Sequence, residues 1–173
     1  MMNQPDVTSD QEAGIIKVIG IGQRLRGDDA AGLEAVRQWL ETCQARHGIP
    51  NVQVELAELP GISLLNLLEG SRFAILVDAV HSGASPGSVH ILDEGQLAAF
   101  TQASKSAHGW GVAETLALGR QLGSPGMPDK LVVIGIEAGQ LNMGADLSPE
   151  VISALAKVTR LIKQYVIRAS RKS

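Results

Sequence analysis

Two adjacent carboxylates, Asp28 and Asp29, close a turn that carries Gly20, Gly22 and Gly27. A third acid, Asp78, ends a long apolar run, and a fourth, Glu137, ends another. One histidine, His108, stands just before an amphipathic stretch. Two carboxylates about 4 Å apart repel by several kcal/mol at an effective dielectric near 20, so protonation or a cation must relieve them. Two carboxylates and an imidazole, with positions left open, suit a divalent transition metal such as nickel, zinc or iron. Each residue also has a plainer use. Asp28 or Asp29 can cap a helix, which is worth about 1 kcal/mol. Asp78 can accept backbone N–H groups in the turn behind it. His108 can bond a neighbouring carbonyl, and Glu137 is as readily structural as functional. His81 and His90 are expected at the surface or on a sheet face. Acids at three apparent strand ends are hard to explain as three separate caps.

Other chemistries find no support. The turn G-I-G-Q-R-L-R-G places its third glycine too late for a dinucleotide fingerprint, and Gly27-Asp28-Asp29 stands where a phosphate loop needs Gly-Lys-Ser/Thr. There is neither a G-x-S-x-G elbow nor an H-E-x-x-H helix. A net charge of −3 offers no basic stripe for nucleic acid, and Arg168, Arg171 and Lys172 read as a solvated end. The single cysteine, Cys43, allows no intrachain disulfide and reads as a buried thiol on the first helix. Residues 1–13 are polar and acidic, with no secretory leader pattern, and no apolar run is long enough to span a bilayer. A soluble cytoplasmic protein is therefore expected.

The elements that must position these residues follow from periodicity. Ile15, Ile16, Val18, Ile19 and Ile21 read as a strand buried on both faces, and Leu33, Val36, Leu40 and Cys43 as the helix behind it. His47-Gly48-Ile49-Pro50 stops that helix. Val52, Val54 and Leu56 alternate with Gln53 and Glu55, predicting a half-buried edge strand, and Ile62 to Leu68 a short helix. Residues 72–80 and Leu131 to Ile136 form two more buried strands. Ser88 to Leu92 follows the second so closely that it must run antiparallel to it. Gly95 to Ala107 reads as a polar loop delivering His108 to a helix that starts at Val112. Ser148-Pro149 opens a long last helix striped by Val151, Leu155, Val158, Ile162 and Tyr165. The order is β α β α β β α β α, one α/β domain. Its expected bounds are 14–168, with a disordered arm over 1–13 and a tail over 169–173. If the long strands are parallel, all four acids lie on one sheet edge, where open α/β sheets bind ligands.

Four ordered stretches carry a resemblance: G-I-G-Q-R-L-R-G-D-D-A-A-G-L, L-V-D-A-V-H-S-G-A-S-P-G-S-V-H, S-A-H-G-W-G-V-A-E-T-L-A-L and I-E-A-G-Q-L-N-M-G-A-D-L-S-P-E-V. Together they resemble the hydrogenase maturation endopeptidases, which trim the C-terminal extension from the large subunit of nickel–iron hydrogenases. The similarity spans roughly residues 15 to 165. It implies a three-layer sandwich: a twisted, mostly parallel five-stranded sheet with its fourth strand antiparallel and helices on both faces. It implies nickel recognition by Asp29, Asp78 and His108, with Asp28 as a cap or supporting group and Asp29 or Asp78 as the base if the metal only positions the tail. It also implies that nickel arrives with the large-subunit precursor, the expected partner of a monomeric enzyme. Gln23 departs from the family pattern, which commonly has asparagine there. A different metal-dependent hydrolase of the same fold, and a nickel-binding accessory protein without activity, remain as alternatives.

Overall fold

The computed structural model describes residues 14–44, 51–103, 111–124 and 126–171. The arm 1–13, the stop signal at 47–50, His108 and the side chain of Cys43 lie outside the described residues. Five strands form one sheet: β1 (Ile15–Gly22), β2 (Val52–Glu58), β3 (Ser71–Val80), β4 (Val89–Asp93) and β5 (Lys130–Glu137). Their spatial order is β2-β1-β3-β5-β4. The pairs β1–β2, β1–β3 and β3–β5 are parallel, and β4 is antiparallel to β5. So β2 lies at an edge, as its alternation predicts. The short link behind β3 does reverse the chain, but β4 pairs with β5 rather than with β3.

Among the described residues five α-helices flank the sheet: α1 (Ala31–Gln44), α2 (Leu64–Leu68), α3 (Glu94–Ala103), α4 (Val112–Gln121) and α5 (Pro149–Ser170). The apolar runs of β1, β3 and β5 divide between two faces because alternate side chains point opposite ways. Ile16, Val18, Ile75, Val77, Ile134 and Ile136 pack with Val36 and Trp39 of α1 and Val151, Leu155, Val158 and Ile162 of α5. Ile19, Ile21, Leu76 and Val133 pack on the other side with Leu64 and Leu68 of α2, Leu97 of α3 and Leu116 of α4. Each buried aliphatic side chain contributes roughly 1.5–3 kcal/mol, and both layers are needed to cover the sheet. None of the described helices is long and apolar enough to cross a membrane.

Two expectations need correction. The stretch from Gly95 is not a loop but α3, as far as Ala103. Asp93 Oδ1 accepts the Gln96 N–H at 2.8 Å, while Gln96 Oε1 accepts the Asp93 N–H at 3.0 Å. This reciprocal capping box starts the helix, and Leu97 anchors it in the core. At the other end of the chain, α5 continues to Ser170 with Ala169 buried, two residues past the bound expected at 168.

Candidate active site

The strands β1, β3 and β5 all deliver their C-terminal ends to one edge of the sheet. Behind β1 the chain makes a single 3-10 turn, Gly27–Ala30, and enters α1. Gly27 takes φ +53°, a left-handed conformation that favours glycine, and a Cβ there would stand 2.8 Å from the Gln140 carbonyl. Gly32 lets α1 press onto the sheet, since its Cβ would meet the Val77 carbonyl at 2.2 Å. The close approach fixes the turn between the ends of β1 and β3.

The two adjacent aspartates point to different tasks. Asp28 is fully buried. Its carboxylate accepts N–H groups of Gly139 at 2.7 Å, Gln140 at 2.9 Å and Ser148 at 2.6 Å, and the Ser148 hydroxyl at 2.9 Å. Ser148 in turn caps α5, its hydroxyl accepting the Val151 N–H. Burial pushes the Asp28 carboxyl up, but these four donors outweigh it and hold the group below its ordinary value. Asp28 therefore braces the 139–148 loop and does not cap its own helix.

Asp29 faces a cleft of about 640 Å³, which Asp78 also lines. Asp78 sits opposite Gly135 of β5, where β3 runs past the end of its pairing with β1. Dehydration first, and the charge of Asp29 second, push the Asp78 carboxyl up to about 7, against a hydrogen bond from the Ala79 N–H that lowers it. A carboxyl with that value can take and return a proton near neutral pH. The same repulsion makes the pair a fit for a divalent cation, which would remove the penalty on both charges. Among the described residues no three His, Cys, Asp or Glu side chains stand within reach of one ion. The third expected ligand, His108, lies outside them.

Glu137 does not join the cleft. It is fully buried, and accepts Ser82 N–H at 2.8 Å, Gly83 N–H at 2.9 Å and the Ser82 hydroxyl at 2.7 Å, with His90 Nε2 at 3.3 Å. It pins the chain that leaves β3 behind Asp78. Of four acids at three strand ends, two reach the cleft and two hold its walls.

Sequence reasoning gave Arg26 no role, noted Gln23 only as a departure from the family pattern, and placed His81 at the surface or on a sheet face. Gln23 and Arg26 come from the turn behind β1, and His81 lies three positions beyond Asp78. Most of the remaining wall is apolar, with Leu59, Pro60, Leu64, Leu97, Phe100 and Val112 contributed by three stretches of chain, and Glu114 and Thr115 of α4 stand among them. No periodicity in the sequence links them. An acidic pair beside an apolar trough suits a peptide chain held near a proton-transferring group.

Comparisons with known proteins agree with that chemistry. The model of the hydrogenase maturation protease family matches residues 38–165. The hydrogenase expression/formation protein HupD of Bradyrhizobium diazoefficiens is 30% identical over 173 residues, covering 96% of this chain and 86% of that protein. The HupD of Rhodobacter capsulatus is 29% identical over 163 residues, covering 90% of this chain and 75% of its own length. Among solved structures, the hydrogenase maturating endopeptidase HybD from Escherichia coli superposes with a TM-score of 0.75 at 25% identity, covering 90% of this chain and 93% of that one. The chain belongs to the hydrogenase maturation protease family and is a peptide-bond hydrolase.

Proposed function

We propose that this protease removes the C-terminal extension of a nickel–iron hydrogenase large subunit after nickel has been inserted, and that the inserted nickel is its recognition signal. The observation carrying this reading is the Asp29–Asp78 pair in one cleft, with the Asp78 carboxyl pushed up to about 7. A cleft with that electrostatic conflict favours a partner bringing positive charge. Nickel belongs to the substrate in this scheme. The donors awaiting it from this chain are Asp29, Asp78 and His108, and the precursor's own cysteine thiolates complete its coordination.

The remaining chemistry falls to the chain's residues. The extension lies along the apolar wall, which excludes water from the peptide and orients the scissile bond. One Asp78 oxygen accepts the proton of the attacking water as its oxygen bonds to the scissile carbonyl carbon. Collapse of that adduct breaks the C–N bond, and the proton passes to the departing amine. Asp29 holds the metal-bearing end of the substrate in register. The enzyme works as a cytoplasmic monomer with no cofactor of its own.

The test is processing of purified precursor, read as loss of the extension by intact-protein mass spectrometry. The Asp29→Ala and His108→Ala variants should leave the precursor uncut, while their thermal unfolding stays within a few degrees of the parent or rises. Processing at the parental rate by Asp29→Ala would remove the acid pair from the mechanism. A precursor that is bound stoichiometrically and never shortened would make this chain an accessory protein instead.

A further inference from the structure

Three loops at the C-terminal edge of the sheet are tied side by side. The middle one, behind β1, carries Leu25. On one flank the Leu59 N–H donates to the Gly22 carbonyl at 3.2 Å, and Arg24 Nε meets Glu58 Oε1 at 2.8 Å. On the other flank the Gly144 N–H donates to the Leu25 carbonyl at 2.7 Å, and Arg26 Nε reaches the Leu141 carbonyl at 3.3 Å. Large apolar side chains stand out into solvent on all three: Leu25 (69% exposed), Leu59 (64%) and Ile62 (57%), and Met143 (70%). The remaining exposed large hydrophobics among the described residues, Ile91, Leu122 and Ile152, lie on other segments.

The backbone at Leu59 is a second sign. It takes φ +46°, a left-handed conformation that is rare for a bulky residue. Leu59 holds this backbone while largely exposed, and it joins neither buried cluster of the sheet faces. Strain that persists without a packing reason points to function. These loops also form the mouth of the cleft, since Gln23, Arg26, Leu59, Pro60 and Leu141 line it. The charges of Arg24 and Glu58, which tie one flank, neutralise each other.

We propose that Leu25, Leu59, Ile62 and Met143 form an apolar docking collar for the folded body of the hydrogenase precursor, at the mouth of the cleft that receives its extension. The proposal rests on the processing reading above. A bond that enters the cleft while still attached to a folded protein brings that protein's surface against the mouth. Exposed apolar side chains there gain from burial only when such a partner arrives.

The test uses the full chain carrying Leu25→Ser, Ile62→Ser and Met143→Ser together, none of which lines the cleft. A control carries Leu122→Ser and Ile152→Ser. Precursor is purified from cells lacking this protease. Binding is read by titration calorimetry and processing by initial rates. The collar variant should raise both Kd and KM about tenfold with kcat kept within about twofold, and the control should match the parent. Unchanged Kd and KM, or an equal rise in the control, would overturn the collar. A fall in kcat at constant KM would overturn it too, placing these residues in the chemistry. Parent protein that binds precursor but leaves it whole would sink the processing reading and leave the collar to the Kd comparison. Self-association of the parent that the collar variant abolishes, with precursor Kd unchanged, would assign the face to a second copy and reject the proposal.

Discussion

Asp78→Asn should make the protein inactive and more stable at once. The ordinary carboxyl value is 3.8, and Asp78 stands at about 7. A shift of roughly three pH units corresponds to about 4 kcal/mol of differential interaction between the charged and neutral forms. Asp78 opens part of its surface to the cleft, so solvent screening reduces this to on the order of 2–4 kcal/mol. The sign follows from proton counts. Between about pH 4 and 7 the native state binds a proton that the unfolded chain has released, so stability falls as pH rises through that window and levels off above it. Asparagine has no such charge to bury. Urea unfolding of the parent and Asp78→Asn should therefore give similar stabilities near pH 4 and diverge in favour of the variant by pH 8. Asp29→Asn should recover the smaller part of the gain, because dehydration outranks the Asp29 charge among the causes. A difference that does not vary with pH, or an Asp78→Asn protein less stable than the parent at pH 8, would refute the reasoning.

The neighbouring aspartate should behave in the opposite way. Asp28→Asn sets an NH2 group against donors of Gly139, Gln140 and Ser148 and should cost roughly 2–4 kcal/mol in urea unfolding. Because the Asp28 carboxyl is held low, its contribution is present at neutral pH and lost as pH falls through that lowered value, so parent and variant should converge in acid. Gly32→Ala drives a methyl into the Val77 and Ile21 carbonyls and should lower stability by at least about 1–3 kcal/mol, with the acid pair displaced and processing lost even where the chain stays folded. Circular dichroism melts and processing rates check it; a Gly32→Ala protein with parental values of both would mean that the α1–sheet approach is not tight.

Much of the architecture was legible because it rests on burial. The strands β1, β3 and β5 are apolar on both faces, which only a covered parallel sheet explains, and the edge position of β2 follows from its alternation. The helix α3 was missed because its apolar pattern is weak, although the capping pair Asp93 and Gln96 stood in the sequence as a D-x-x-Q signal. The site was legible in part. Position at strand ends brought Asp29 and Asp78 to one edge, but direction of a side chain is set by long-range donors. Nothing local tells Asp28, which finds Ser148 across the fold, from Asp29, which does not turn inward. Glu137 could likewise be assigned only once Ser82 and Gly83 were seen to donate to it. The apolar wall of the cleft and the collar at its mouth combine distant segments, so no window of sequence contains them. Leu59 carries no sequence mark of its left-handed backbone, since that region ordinarily calls for glycine or asparagine.

The most direct measurement compares two preparations of one hydrogenase precursor, nickel-loaded and metal-free, with the same amount of metal-free protease. The extension is followed by intact-protein mass spectrometry. The nickel-loaded precursor should be shortened and the metal-free one should remain whole. Engagement should weaken as pH falls through the histidine range, because a ligating ring must be neutral. Shortening of both preparations at the same rate would contradict nickel recognition, and with it the pairing of Asp29, Asp78 and His108 as the groups that read the metal.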